Sequence, residues 1–194
     1  MAAALLGFAV PAAAQTPAPP PALSPEVQRV VDAPDGADFV PGEEDERAAM
    51  ARFVDYTLAL ERRDFAAAYA MLGLARQAAS PRIEWEGDLR KRQGLWADGT
   101  IRILRLNWYL DPAGQPPGLY AAFDFRGDRR DGTMDCGYVV VHRAASGSAP
   151  GASFAVTSSN VSEIPPDLIE EGVPKAEVLR QLPCYLGKGI ATAL

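Results

Sequence analysis

Histidine and cysteine are almost absent from this chain of 194 residues, which holds one His and two Cys, and that scarcity removes several kinds of chemistry at once. Metal centres draw on clustered His, Cys, Asp and Glu ligands. Here His142 stands alone, and neither Cys136 nor Cys184 belongs to a C-x-x-C pair, so no zinc site, redox motif or cofactor is implied. There is no G-x-S-x-G, no H-E-x-x-H and no phosphate-loop spacing, and the glycines of GDRRDG read as a hairpin turn. Basic charge is scarce too: 19 Lys and Arg against 25 Asp and Glu leave a net −6, with the cations dispersed among acids. That pattern offers no face for nucleic acid. Nor is any apolar run long enough to span a bilayer, so no transmembrane segment is expected. No motif specifies a reaction, and the expectation leans away from an enzyme.

What the chain does contain begins with AAALLGFAVPAAAQ, a short apolar run followed by Ala12, Ala13 and Ala14 before Gln15, the pattern of a secretory signal peptide over residues 1–14. A basic leading segment is missing, and an Ala-rich cytosolic tail is the alternative. Export predicts a periplasmic or secreted protein. In that compartment an even cysteine count favours a Cys136–Cys184 disulfide closing a loop of about fifty residues; two reduced thiols in a core are the other reading. Residues 15–42 read as a tether: TPAPPPAL is proline-rich and extended, and Ser24, Pro25 and Glu26 start a short helix with Val27, Val30 and Val31 on its apolar side.

The compact region spans residues 43–165. Ala49, Phe53, Tyr56, Thr57 and Leu60 recur at helical spacing, widened by Met50 and Val54, and Glu43 to Glu46 crowd the helix start where carboxylates favour the dipole. Asp64 offers an N-cap to a second helix from Phe65 to Leu72, and Ser80 and Pro81 open a third in which Trp85, Leu89, Arg92 and Trp96 share a row. From Thr100 the period becomes two: Leu104, Leu106, Trp108 and Leu110 alternate with polar residues, and Ile101 and Ile103 are out of phase, which implies a bulge near Ile103. Leu119 to Arg126 and a partner after Gly132 form a hairpin. Setting Arg126 opposite Thr133 places Phe125 with Met134 and Phe123 with Cys136 on one apolar face, and Asp124 with Asp135 on the other. Ser153 to Asn160 is the last strand, and residues 166–194 read as a helical tail. Helices followed by closely connected strands predict an α+β domain, with helices on one face of a four-stranded antiparallel sheet.

ARFVDYTLALERRDFAAAYAML, SPRIEWEGDLRKRQG, GLYAAFDFRGDRRDGTMDCGYVVVHR and SFAVTSSNVSEIP resemble, in that order, the bacterial family called domain of unknown function 4019. More broadly they resemble the nuclear-transport-factor-two-like superfamily. The resemblance covers residues 45–165 and implies a curved, cone-like sheet wrapped around the helices. Members of that superfamily include isomerases, dehydratases and plain binding or assembly domains, so the resemblance selects no activity.

Three sets of residues are candidates for function. Asp124 and Asp135, as cross-strand neighbours, would share a proton and act as acid and base, or form part of a solvated charge lattice with nearby arginines. His142 is a base or a satisfied strand-end histidine. Tyr56, Trp85, Trp108 and Tyr138 line the mouth of a cavity or simply fill the core. The leading expectation is an exported, non-catalytic binding or assembly domain for a protein partner or a small apolar ligand. The alternatives are a cavity enzyme of isomerase or dehydratase type using an Asp base, and a structural homodimer module.

Overall fold

The computed structural model describes residues 28–32, 39–91, 100–145 and 153–167. The expected signal peptide and most of the C-terminal tail lie outside them. Helix α1 (Glu43–Glu61) buries Ala49, Met50, Phe53, Tyr56, Thr57 and Leu60, the stripe that its period requires, together with Ala59. It ends in a Schellman turn: Arg63 takes φ 57°, its N–H donates to the Leu60 carbonyl at 3.0 Å, and the Asp64 N–H reaches Ala59 at 2.8 Å. Asp64 then caps α2 (Phe65–Ala70), its carboxylate accepting from the Ala67 N–H at 3.0 Å. Next come α3 (Leu74–Ala79) and α4 (Arg82–Lys91), separated by Pro81. Arg92 and Trp96, placed in this last helix by the sequence pattern, lie outside the described residues.

The strands are β1 (Gln28–Asp32), β2 (Thr100–Leu110), β3 (Gly118–Asp128), β4 (Met134–Ala144) and β5 (Ala155–Ile164). They form one sheet in the order β1-β2-β3-β4-β5, with β1 parallel to β2 and all other pairs antiparallel. The short helix expected around Val27, Val30 and Val31 is therefore corrected to a strand: Val30 lies opposite Asn107 and Val31 opposite Trp108. A short isolated helix is marginal, whereas β-branched residues gain ladder partners on a sheet edge.

The α+β arrangement holds, with the N-terminal helices packed near the sheet, but the cone does not. The sheet is open and not curled, and among the described residues no ladder joins β1 to β5. The cone-like architecture implied by the resemblance to the nuclear-transport-factor-two-like superfamily is thus overturned. Side chains occupy the space beneath α1 instead of a cavity: Phe53 stacks on Phe123 with ring centroids 4.8 Å apart and meets Phe125 edge-on at 5.8 Å. Trp108 meets Phe154 edge-on at 6.3 Å.

The hairpin register also differs from the expectation, by three residues. Phe125 lies opposite Gly137, not Met134, and Phe123 lies opposite Val139, not Cys136. An odd slip turns β4 over, so Val139 and Val141 join the core under α1, while Met134 and Cys136 move to the opposite face and cluster with Ile164 and Leu104. Both faces of β4 carry apolar residues, which is why its hydrophobic pattern alone did not select a register. The turn runs through residues 129–133, with the Arg129 N–H bonded to the Thr133 carbonyl at 2.9 Å and Gly132 at φ +86°. In β2 the expected irregularity is present, between Ile103 and Arg105. It lets Ile101, Ile103, Leu106 and Trp108 all pack on the helix side and sends Leu104 to the second cluster.

One end of the expected Cys136–Cys184 disulfide falls outside the described residues, and Cys136 is not a free thiol. No disulfide joins two described residues, because Cys184 lies outside them, and Cys136 is described as a buried member of the second cluster.

Two substitutions test this packing. Phe53→Ala removes the ring that joins α1 to β3 and should cost about 3–5 kcal/mol in chemical denaturation. Gly137→Ala would bring a Cβ to 2.1 Å from the Asn160 carbonyl oxygen, so β4 and β5 must separate. A loss of about 1–3 kcal/mol is expected there, and an unchanged midpoint would contradict the register.

Candidate functional site

The sites expected from sequence are scattered. Asp124 lies opposite Tyr138, and Asp135 lies opposite Gly127, so the two carboxylates are not cross-strand neighbours. Asp124 accepts from Arg105 Nε at 2.6 Å in a half-buried ion pair. Asp135 is 0 % exposed and accepts two bonds from Arg129, at 2.8 Å to Nε and 2.6 Å to a terminal nitrogen; Arg129 also reaches Glu163 at 3.1 Å. Burial opposes the charge on Arg129, but these bonds to Asp135 and Glu163 outweigh it and hold its pKa above the ordinary value. This network ties the β3–β4 turn to β5.

His142 faces Tyr120 across the β3–β4 ladder, on the side of the sheet away from α1. The two rings stack at 4.2 Å, and the imidazole Nε2 lies 3.2 Å from the Pro117 carbonyl. The Tyr120 hydroxyl donates to the Pro116 carbonyl at 2.7 Å. Its pKa is raised, first by burial and then by the charge of Asp111. His142 thus braces the β2–β3 loop. Gly118 lets that loop close in, because a Cβ there, at φ +144°, would lie 2.3 Å from the Arg143 carbonyl and 2.5 Å from His142 Nε2.

Of the four aromatic candidates, the fold brings together two. Trp108 is sealed in the core, and Tyr138 is 38 % exposed on the far face. Tyr56 and Trp85 line a cleft of about 170 Å³ between the helices and the β5 side of the sheet. Leu60, Leu89 and Val139 add apolar wall, while Arg76 and Ser80 from α3 and its C-cap, Asp88 from α4 and Ser159 from β5 add polar groups. The Tyr56 hydroxyl and Ser159 Oγ are 3.0 Å apart.

Local bonds set this geometry. The linker between α2 and α3 grips β5: the Val156 N–H donates to the Met71 carbonyl at 2.8 Å, and the Gly73 N–H donates to the Val156 carbonyl at 2.9 Å. Gln77 Nε2 donates to the carbonyls of Tyr69 and Leu72, and the Tyr69 hydroxyl lies 3.0 Å from the carbonyls of Gln77 and Ser80. The Tyr69 ring in turn meets Trp85 at 5.5 Å. Arg76, Ser80 and Trp85 are therefore carried to the cleft by a braced corner.

Sequence reasoning missed Arg76, Ser80, Asp88, Leu89 and Ser159 as cleft residues. The segment LARQAA has a single large apolar residue, Leu74, and that one is 84 % exposed, so α3 shows no buried stripe to read. Ser159 carried no signal beyond its place in a strand.

Among the described residues no group of three or more His, Cys, Asp and Glu is placed to hold a metal ion, and no helix is long and apolar enough to cross a membrane. No family model, curated protein or solved structure matches the chain. The likeness to the domain of unknown function 4019 family therefore gains no support from the comparisons, and the cone it implied is absent.

The two aspartates should respond differently to neutralisation. Asp135→Asn strips a buried arginine of its main partner and should cost about 3–5 kcal/mol. Asp124→Asn breaks a half-exposed pair and should cost about 1 kcal/mol or less. Denaturant titration of both variants reads the contrast.

Proposed function

We propose that this protein is a non-catalytic binding domain that takes a small, largely apolar ligand in the cleft between α1, the α3–α4 corner and β5. The observation that carries this reading is the cleft itself, in which apolar walls from Leu60, Trp85, Leu89 and Val139 surround a few convergent polar groups. That combination is the usual chemistry of a ligand pocket. Its volume of about 170 Å³ falls below the roughly 300–1,000 Å³ of sites for drug-sized molecules and close to the roughly 150 Å³ of apolar cavities that accept benzene. The ligand is accordingly one ring or a chain of a few carbons. The signal-like residues 1–14 support a periplasmic or secreted location.

Catalysis by an Asp base has less to draw on. Neither Asp124 nor Asp135 borders the cleft, and the carboxylate that does, Asp88, lies 2.8 Å from Lys91 Nζ. A homodimer would use the far face of the sheet, where Tyr138 is exposed, and light scattering reads that possibility directly.

Benzyl alcohol is a suitable neutral probe for the binding reading. Titrated into labelled full-length protein, it should give saturable NMR shifts at the Trp85 indole N–H and at the amides of Tyr56, Ser159 and Val161. Shifts confined to other surfaces, or none at millimolar concentration, would overturn the assignment.

A further inference from the structure

Resting on that binding reading, we infer that the cleft selects small apolar carboxylates, with Arg76 as the group that receives the acid. Arg76 stands in the last turn of α3 and lines the cleft. Among the described residues no carboxylate lies within ion-pair distance of it. Four arginines elsewhere on the fold are paired with carboxylates: Arg105 with Asp124, Arg129 with Asp135, Arg143 with Asp45 and Arg90 with Glu86. What sets Arg76 apart from other arginines unpaired among the described residues, such as Arg47 and Arg62, is its place in the cleft lining. A guanidinium fork presents paired N–H donors matched to a planar carboxylate, so an uncommitted one beside an apolar wall is complementary to an acid with a short hydrocarbon body.

Among the described residues, the one other charged side chain in the cleft lining is Asp88. Asp88 would repel an anion, but its carboxylate is compensated by Lys91 at 2.8 Å. Lys91 itself stands outside the cleft lining, so its charge offsets Asp88 without entering the site. The hydroxyls of Ser80 and Ser159 stand at the same cleft as additional donors. A phosphate or sulfate would place a fully hydrated dianion against Trp85 and Leu89, and desolvating it there is costly. A carboxylate keeps one end wet at Arg76 and buries only its hydrocarbon. The carboxylate is supplied either by a free small acid or by the C-terminus of a peptide with an apolar last residue, and the two share the same recognition.

Paired titrations of benzoate and benzyl alcohol test the inference, monitored by NMR on the wild type and on Arg76→Met, Arg76→Lys and Asp88→Asn. Benzoate should bind the wild type at least about tenfold more tightly than benzyl alcohol, a difference worth about 1.4 kcal/mol. Arg76→Met should abolish that preference by lowering benzoate affinity about tenfold more than benzyl alcohol affinity; Arg76→Lys should retain part of it. Asp88→Asn should raise benzoate affinity alone, and added salt should lower it, because the guanidinium is exposed. Equal affinity for the two probes, or an equal loss of both in Arg76→Met, would overturn carboxylate selection while binding stands. Failure of both probes to shift the Trp85 indole would overturn the binding reading and this inference with it. Competition by an N-acetylated dipeptide ending in phenylalanine separates the sources: displacement of benzoate assigns a peptide C-terminus, and no displacement assigns a free acid.

Discussion

Phe125 and Gly137 face each other across β3 and β4, and that pairing governs everything built on the helix side of the sheet. The β4–β5 ladder needs a residue without a side chain at this position, since any Cβ at 137 would collide with the Asn160 backbone. With Gly137 in place, alternation carries Val139 and Val141 inward and lets Phe53 of α1 settle on Phe123 and Phe125. Moving the ladder by one residue would exchange these faces. The floor of the cleft, Val139 with Ser159 opposite it, is a direct consequence of this register.

The buried Arg129–Asp135 pair reinforces the same offset at the turn. Taking both charges out of water is expensive, and such a pair adds less net stability than its short distances suggest. Its effect is selective: an Asp135 buried elsewhere in the ladder would be left without the fork of Arg129, at a cost no apolar contact nearby offsets. Met134, Cys136 and Ile164 then fall on the other face, where the bulge in β2 brings Leu104 to meet them. The sheet has two packed faces of unequal size, and the larger one is filled rather than hollow.

A small cleft persists where the helical layer stops covering the sheet. The corner from α2 to α4 hangs on main-chain bonds to Val156 and on the exchange between Tyr69 and Gln77. Those bonds hold Trp85 against the cleft while Arg76 stays exposed at its edge. Binding in such a place needs little rearrangement of the core, because the walls are side chains already buried for stability and the polar groups stand at the rim.

Periodicity alone determined α1 and its buried stripe, the Asp64 cap, the change to strands at Thr100 and the irregularity near Ile103, because each depends on residues close together in the chain. Scarcity of His and Cys likewise argued against a metal or nucleophile motif without any coordinates. Tertiary structure alone decided the β3–β4 offset, since β4 is apolar on both faces, and turned Gln28–Asp32 into a strand by supplying β2 as a partner. It also decided the site: Arg76, Trp85 and Ser159 are far apart in sequence, and only the grip of the α2–α3 linker on β5 gathers them around one cleft.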